Sequence, residues 1–304
     1  MSGSEYRDGA ALWRAISDRA RTAAKATGRP ANELTRRFVY DRFLARVFAD
    51  PEAPWVLKGG TAVLARVHDA RHSKDVDLLR SLGDIEDALV ALRQALEIDL
   101  SDHFRFVIVT EKQAGNARQP QVTGYRLKVD AYCGTRRCES FSVDLVTGSL
   151  MTAAPDAVSP NPPIEVPGVV PATVRAYPVV DHIADKLAAT EAVYSDGTRS
   201  SRTRDLVDLV VFARTQTIDG EALYAAIAGE RHHRGLPLSS TFGVPRDWVR
   251  DYPAIAAKVP HCDGLHDLAD AEAFVAAFLE PAMTGSARGA SWDPDMQKWT
   301  RRTG

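Results

Sequence analysis

The stretch Lys58-Gly59-Gly60-Thr61, followed by Arg71-His72-Ser73-Lys74-Asp75-Val76-Asp77-Leu78, restricts what this chain can fold into more than any other segment. Trp55-Val56-Leu57 is a short apolar run, and the diglycine after it lets the backbone turn tightly. Residues 61–67 then carry the periodicity of a helix start, whose free amides are suited to an anion. A second strand follows, with Asp75 and Asp77 two positions apart. Period-2 alternation sets both carboxylates on one face and turns Val76 and Leu78 to the other. Two acids on one face repel unless a cation sits between them, and a hard divalent ion such as Mg²⁺ prefers such oxygens. Each part also has an ordinary reading: a lone Asp-x-Asp is common on a solvated face, and a diglycine more often marks a turn. The joint spacing is what favours a phosphate cradle beside a metal site.

The elements on either side predict a mixed sheet with helices packed on it, an α+β fold. Residues 10–49 read as two helices punctuated by Pro30 and Asn32, the second with Leu34, Phe38, Val39, Phe43, Leu44 and Val47 on a wide apolar stripe. Ile85, Leu89, Leu92 and Leu96 predict a helix over 84–98. Residues 104–109 read as a strand and 111–121, with Gly115, Asn116 and Pro120, as a loop or hairpin connection. Residues 125–132 and 141–146 alternate as two strands around a glycine turn. In the second, Phe141, Val143 and Leu145 share a face, so Asp144 looks the other way. Alternation alone makes Asp144 an ordinary solvent-facing acid. If its strand lies beside the one bearing Asp75 and Asp77, three carboxylates converge.

Prolines crowd 153–178 and mark the expected boundary. The expected domains are therefore 1–152, a linker at 153–178, a mainly helical domain at 179–284 and a polar, unstructured tail at 285–304. Ile183 and Leu187 place one helix at 181–194; Leu206, Leu209 and Val210 place another at 203–214, with a polar, mobile link at 195–202. Asp205 and Asp208 are neighbours on one helical face, and Lys186 lies on the preceding helix. One reading is a surface salt bridge worth about 0–1 kcal/mol. The other is a lysine able to reach a triphosphate held by the first domain. Trp248, Tyr252 and Ile255 are spaced as core residues.

Composition excludes several classes. With 45% hydrophobic residues the 304-residue chain has ample material for a core. No apolar run reaches the roughly 18 residues that span a bilayer, and the first thirty residues carry charges throughout, so a cytoplasmic protein is expected. The 38 basic and 40 acidic residues give a net charge of −2, so a polyanion would have to be held locally. The local basic groups are Arg36-Arg37, Arg136-Arg137, the 199–204 segment and the 231–234 segment, each more often a solvated face than a phosphate contact. Cys133 and Cys138 flank a four-residue spacer that suits a hairpin better than a zinc knuckle.

Taken together, Lys58-Gly59-Gly60-Thr61, Arg66, Arg71-x-Ser73-Lys74-Asp75-x-Asp77, Asp144, Lys186 and Arg204-Asp205-Leu206-x-Asp208-Leu209 resemble the AbiEii/MenT nucleotidyltransferase toxins of the DNA polymerase β-like superfamily. The resemblance runs in order through nearly the whole chain, including Phe242-x-x-Pro245-x-x-Trp248 and Phe278-Leu279-Glu280-Pro281. It implies that Asp75 and Asp77, with Asp144 as candidate third acid, hold two Mg²⁺ ions. It implies that Gly59, Gly60 and Ser73 cradle the triphosphate, with Lys58 and Thr61 in the same motif. Lys74, Arg66, Arg71 and Lys186 would offset its charge, and Asp208 would belong to the second-lobe part of the site. The implied reaction transfers a nucleoside monophosphate from a nucleoside triphosphate to the 3′ end of tRNA, releases pyrophosphate, and blocks aminoacylation and translation until a cognate antitoxin protein restrains the toxin. Two alternatives stay open: transfer to a small molecule or a protein hydroxyl by the same core, and a non-catalytic nucleic-acid-binding module that kept the fold.

Overall fold

The computed structural model describes residues 5–115, 123–162, 164–192 and 200–301, the side chains of 114, 115 and 123 excepted. The chain forms two compact units, the first comprising residues up to His68, 72–149 and 157–176, the second 69–71, 150–156 and everything from Tyr177 on. The mixed α+β architecture follows from the first of these.

Helices α1 (Gly9–Thr27) and α2 (Ala31–Val47) open the first unit. Asp8 caps α1 by accepting from the Ala11 amide at 2.8 Å, and Gly28, at φ 71°, ends it in the left-handed region. Strand β1 (Trp55–Lys58) runs into α3 (Gly59–Arg66), and β2 (Asp75–Arg80) into α4 (Ile85–Leu96). Then come β3 (Phe104–Gly115), β4 (Thr123–Cys133), β5 (Arg136–Thr147) and the short β6 (Asp156–Val158) and β7 (Val174–Ala176). Among the described residues these strands form one sheet in the order β3-β4-β5-β2-β1-β7-β6. β2 is antiparallel to β1 and parallel to β5; β4 is antiparallel to both β3 and β5.

One face of the sheet is apolar. Val76, Leu78, Leu127, Val129, Phe141, Val143 and Leu145 are buried there with Phe38, Tyr40 and Phe43 of α2. Phe43 meets the rings of Phe106 and Phe141 edge-on, with centroids 5.5 and 5.4 Å apart. At about 1.5–3 kcal/mol per fully buried large side chain, this face is what fixes the register, because a one-residue slip would present the opposite set. The apolar stripe of α2 also hides two cations. Arg46 donates to the Asp102 carboxylate at 2.6 and 3.1 Å and to the Phe104 carbonyl at 2.8 Å, and Arg42 lies 3.7 Å from the same carboxylate.

Four expectations need correction. The diglycine is the first turn of α3 itself, because Lys58 caps the helix and Gly59 is already helical in hydrogen bonding. Residues 111–115 extend β3 instead of starting a loop: Glu111, Lys112 and Gln113 pair with Leu127, Arg126 and Tyr125, a polar ladder that carries no apolar alternation to read. Residues 116–122 lie outside the described residues. The proline-rich segment is not a bare linker either. Ile164, Val166, Ala172, Val174 and Ala176 are buried in the first unit's core, and β7 pairs in parallel with β1 through Leu57 and Ala176. Prolines are tolerated there because the segment lies at the sheet's edge.

The second unit is mainly helical: α5 (Val179–Glu191), α6 (Thr203–Thr215), α7 (Gly220–Arg234), α8 (Tyr252–Ala256) and α9 (Leu268–Met283). Residues 193–199, most of the link expected to be mobile, lie outside the described residues. Ser200 is buried, and its carbonyl accepts from the Trp248 indole at 2.8 Å. The tail corrects the remaining expectation. β9 (Ala290–Asp293) and β10 (Lys298–Arg301) form a hairpin whose first strand pairs with β8 (Ile218–Asp219). Trp292 is buried, donates to the Ala213 carbonyl at 2.6 Å and packs on Phe278; Trp299 stacks on the same ring. Two tryptophans outweigh the polar residues around them.

Candidate functional site

The polar face of the first unit's sheet gathers the acids singled out from the sequence. Asp77 pairs in register with Asp144 of β5 on one side and with Lys58 of β1 on the other, and Asp75 pairs with Ser142. Cross-strand partners share a face, so Asp75, Asp77 and Asp144 project together, away from the apolar core. Alternation alone makes Asp144 an ordinary solvent-facing acid; the parallel pairing of β2 with β5 puts it on the same face as Asp75 and Asp77.

The local chain is built to hold these acids. Gly59 has φ +62°, and a Cβ there would lie 1.8 Å from the Asp77 carboxylate. Only glycine fits, and Asp77 thereby sits against the N-terminal end of α3, where a carboxylate is favoured. Gly60 and Thr61 are buried in the same turn, and the Thr61 hydroxyl donates to the Asp75 carbonyl at 2.6 Å. The buried Ser73 hydroxyl donates to that carbonyl too, at 3.2 Å, and Tyr40 donates to the Lys74 carbonyl at 2.6 Å. Thr61, Ser73 and Tyr40 thus pin the backbone at the start of β2. Lys58 donates to the Ser149 hydroxyl at 3.0 Å, Lys74 is exposed, and Arg66 is half-buried at the end of α3.

A residue that sequence reasoning missed lies among the acids. Arg126 of β4 pairs in register with Asp144, and its guanidinium lies 3.6 Å from Asp144 and 3.5 Å from Asp75. The side chains are 56% exposed for Arg126, 36% for Asp75 and 31% for Asp144, so water competes for every partner. Burial pushes the Asp144 carboxyl above its ordinary value, Arg126 pulling it down and Asp75 pushing it up. Among the described residues no three His, Cys, Asp or Glu side chains are drawn together into a ready cage for an ion. The donors nevertheless fit a hard divalent cation in kind: carboxylate oxygens only, from two strands held in register, beside a position where a Cβ would fill the space.

His72 was also passed over. Burial, and then the charges of Arg36, Arg37, Lys74 and Arg29, lower its pKa to about 4, and neither ring nitrogen has a hydrogen-bond partner. The Arg36-Arg37 pair therefore belongs to a larger basic group immediately before the two acids. Little in the sequence marks His72, because of the charges around it only Lys74 is near in the chain, and Arg29, Arg36 and Arg37 reach it through the fold.

Lys186, Asp208 and Arg71 are brought together in the second unit. The Lys186 ammonium donates to Asp205 at 2.9 Å and to Asp208 at 2.5 Å. Arg71 grips Asp208 with two bonds, at 2.8 and 2.6 Å, and Arg202 pairs with Asp205 at 2.5 Å. The side chains of Lys186, Asp205 and Asp208 are at most 3% exposed, so the reading as a surface salt bridge gives way to a buried network. Burial works against the charge on Lys186, but Asp205 and Asp208 more than offset it and raise its pKa. Burial likewise opposes the charge on Asp205, yet Lys186 and Arg202 hold its pKa down. Of the other basic groups, Arg231 pairs with Glu191 at 2.6 Å and Arg234 with Glu230 and Asp185, at 2.6 and 2.5 Å, so both are structural. Cys133 and Cys138 are free thiols on the β4–β5 hairpin, donating to the carbonyls of Gly9 and Ala131.

The profile of a family described as nucleotidyl transferase AbiEii toxin, type IV TA system, matches residues 42–298. No curated protein matches the chain. Among solved structures, a candidate nucleotidyltransferase from H. pylori aligns at 17% identity and TM-score 0.43, covering 81% of this chain and 93% of that one. JHP933 from Helicobacter pylori aligns at 16% identity and TM-score 0.45, covering 84% and 94%.

Proposed function

We propose that this chain, which belongs to the AbiEii family of nucleotidyl transferase toxins of type IV toxin–antitoxin systems, transfers a nucleoside monophosphate from a nucleoside triphosphate to the 3′ end of tRNA in the cytoplasm. Pyrophosphate leaves, and the altered tRNA can no longer be aminoacylated, so translation stops until the cognate antitoxin intervenes. The observation that carries this reading is the in-register set of Asp75, Asp77 and Asp144 beside the Gly59 turn. No helix among the described residues is long and apolar enough to cross a membrane.

Asp75, Asp77 and Asp144 would hold the divalent ion or ions. Bound there, Mg²⁺ would supply charge stabilisation for the attacking and leaving oxygens of the displacement. The chain's own residues supply position and compensating charge, the main requirements of phosphoryl transfer. Gly59 leaves room for the Asp77 carboxylate, and Thr61 and Ser73 hold the β2 backbone from which Asp75 and Asp77 project. Lys58 and Lys74 flank that backbone with positive charge suited to a triphosphate. The buried side chains of Lys186 and Asp208 act by keeping the second unit's network intact.

The test is incubation of the purified protein with Mg²⁺, each labelled nucleoside triphosphate in turn and total tRNA, read on a gel at single-nucleotide resolution. Label added to tRNA at the 3′ end, lost in Asp77→Asn, is the expected result. Label transferred only to a small molecule or to protein would replace the tRNA reading with another acceptor, and no transfer to any acceptor would overturn it.

A further inference from the structure

Arg126 stands where a cation is required, but it is held there weakly. Its guanidinium approaches Asp75 at 3.5 Å and Asp144 at 3.6 Å, distances of ion pairs and not of well-formed hydrogen bonds. More than half of its side chain is exposed, and pairs of that kind contribute little and break readily. Its strand differs from theirs: the two acids ride on β2 and β5, which pair directly, whereas Arg126 rides on β4. The side chain can therefore leave without disturbing the register of the carboxylates. Without any cation those carboxylates would repel each other, and arginine keeps its charge at every physiological pH.

We propose that Arg126 is a displaceable counter-ion, its guanidinium bridging Asp75 and Asp144 in the ion-free protein and being pushed aside when a divalent cation binds. The inference rests on the metal reading above. It makes Arg126 a positioning residue that sets a threshold for ion loading: a single positive charge keeps the carboxylates apart and ordered, and a doubly charged ion with a stronger demand for oxygen replaces it.

The experiment titrates the full chain with Mn²⁺, without nucleotide, following free Mn²⁺ by electron paramagnetic resonance in the wild type, Arg126→Gln and Arg126→Lys. Arg126→Gln is expected to bind about three- to tenfold tighter, the range set by giving up two exposed ion pairs, with Arg126→Lys close to the wild type. In parallel, the Arg126 Nε–H resonance, identified by its loss in Arg126→Gln, is followed by NMR. It is expected to move on adding Mg²⁺ and to take a similar position in ion-free Asp75→Asn. Equal Mn²⁺ affinity in all three proteins overturns the role of Arg126 while leaving the metal reading standing, and so does tighter binding with a stationary resonance. If none of the three binds Mn²⁺, the metal reading itself fails and this inference with it.

Discussion

Each unit of the chain carries a short acidic motif, and the two are treated in opposite ways. Asp75, Asp77 and Asp144 lie on a half-exposed sheet face, with Arg126 no closer than 3.5 Å to Asp75 and 3.6 Å to Asp144. Asp205 and Asp208 are buried and gripped by Lys186, Arg71 and Arg202 at 2.5–2.9 Å. Solvent screening makes the first arrangement cheap to rearrange, whereas stripping one partner from the second strands a charge in the interior. The same residue type is thus loosely paired and exposed in one place and locked into the interior in the other, and partner distance with burial tells them apart.

The sharpest break of that comparison is Lys186→Ala. It leaves Asp205 and Asp208 short of a buried cation and is expected to cost roughly 3–5 kcal/mol of folding stability, measured as the shift of the urea unfolding curve. A shift under about 1 kcal/mol would place this network with the weak surface pairs. Asp75→Asn should do the reverse. It is expected to lower nucleotide transfer about 10²–10³-fold, as loss of one transition-state charge stabiliser does, while unfolding stays within about 1 kcal/mol of the wild type. Equal damage to activity and stability would erase the distinction.

The buried network was half legible in the sequence. The spacing of Asp205 and Asp208 gave their shared helical face, but nothing local could say that Arg71, so far away along the chain, would grip Asp208 with two bonds. The acids on the sheet were clearer, since β alternation fixes faces without tertiary information. Arg126 was hidden for a definite reason. Its alternation with Leu127 and Val129 gives its face, but counted back from the turn, where Cys133 pairs with Arg136, it would oppose Val143; an irregularity between Ala131 and Tyr132 shifts the register and sets it against Asp144. The hairpin at the C-terminus is hard to read because its apolar residues are few and scattered; in the proline-rich segment the alternation of Ala172, Val174 and Ala176 is broken up by prolines, and in both cases burial comes from partners distant in sequence.

Gly59→Ala tests how tightly the sheet acids are placed. The left-handed φ of +62° strains any side chain, and the new methyl would lie 1.8 Å from the Asp77 carboxylate, so Asp77 must move. A loss of about 1–3 kcal/mol is expected, measured by urea unfolding, together with weaker Mn²⁺ binding. Unchanged Mn²⁺ affinity would show that the position of Asp77 beside α3 does not matter to the ion.

The last effect is confined to acid pH and concerns His72, which lies next to the acid-bearing strand and among Arg36, Arg37, Lys74 and Arg29. Burial first and those cations second lower its pKa from 6.5 to about 4, so between these values the unfolded chain binds a proton that the folded one refuses. Unfolding free energy should therefore fall as the pH drops from about 6.5, and this contribution should be fully lost by about 4. Asp205, whose pKa is held below its ordinary 3.8, adds nothing in that window; its contribution is lost only at lower pH. The His72→Phe variant removes the titrating ring without deleting a hydrogen bond, since neither nitrogen makes one. The difference between variant and wild type, from urea unfolding at successive pH values, should grow as the pH falls through the window and level off beneath it. Parallel curves would mean that His72 titrates alike in both states, and that the basic group around it is looser than its burial implies.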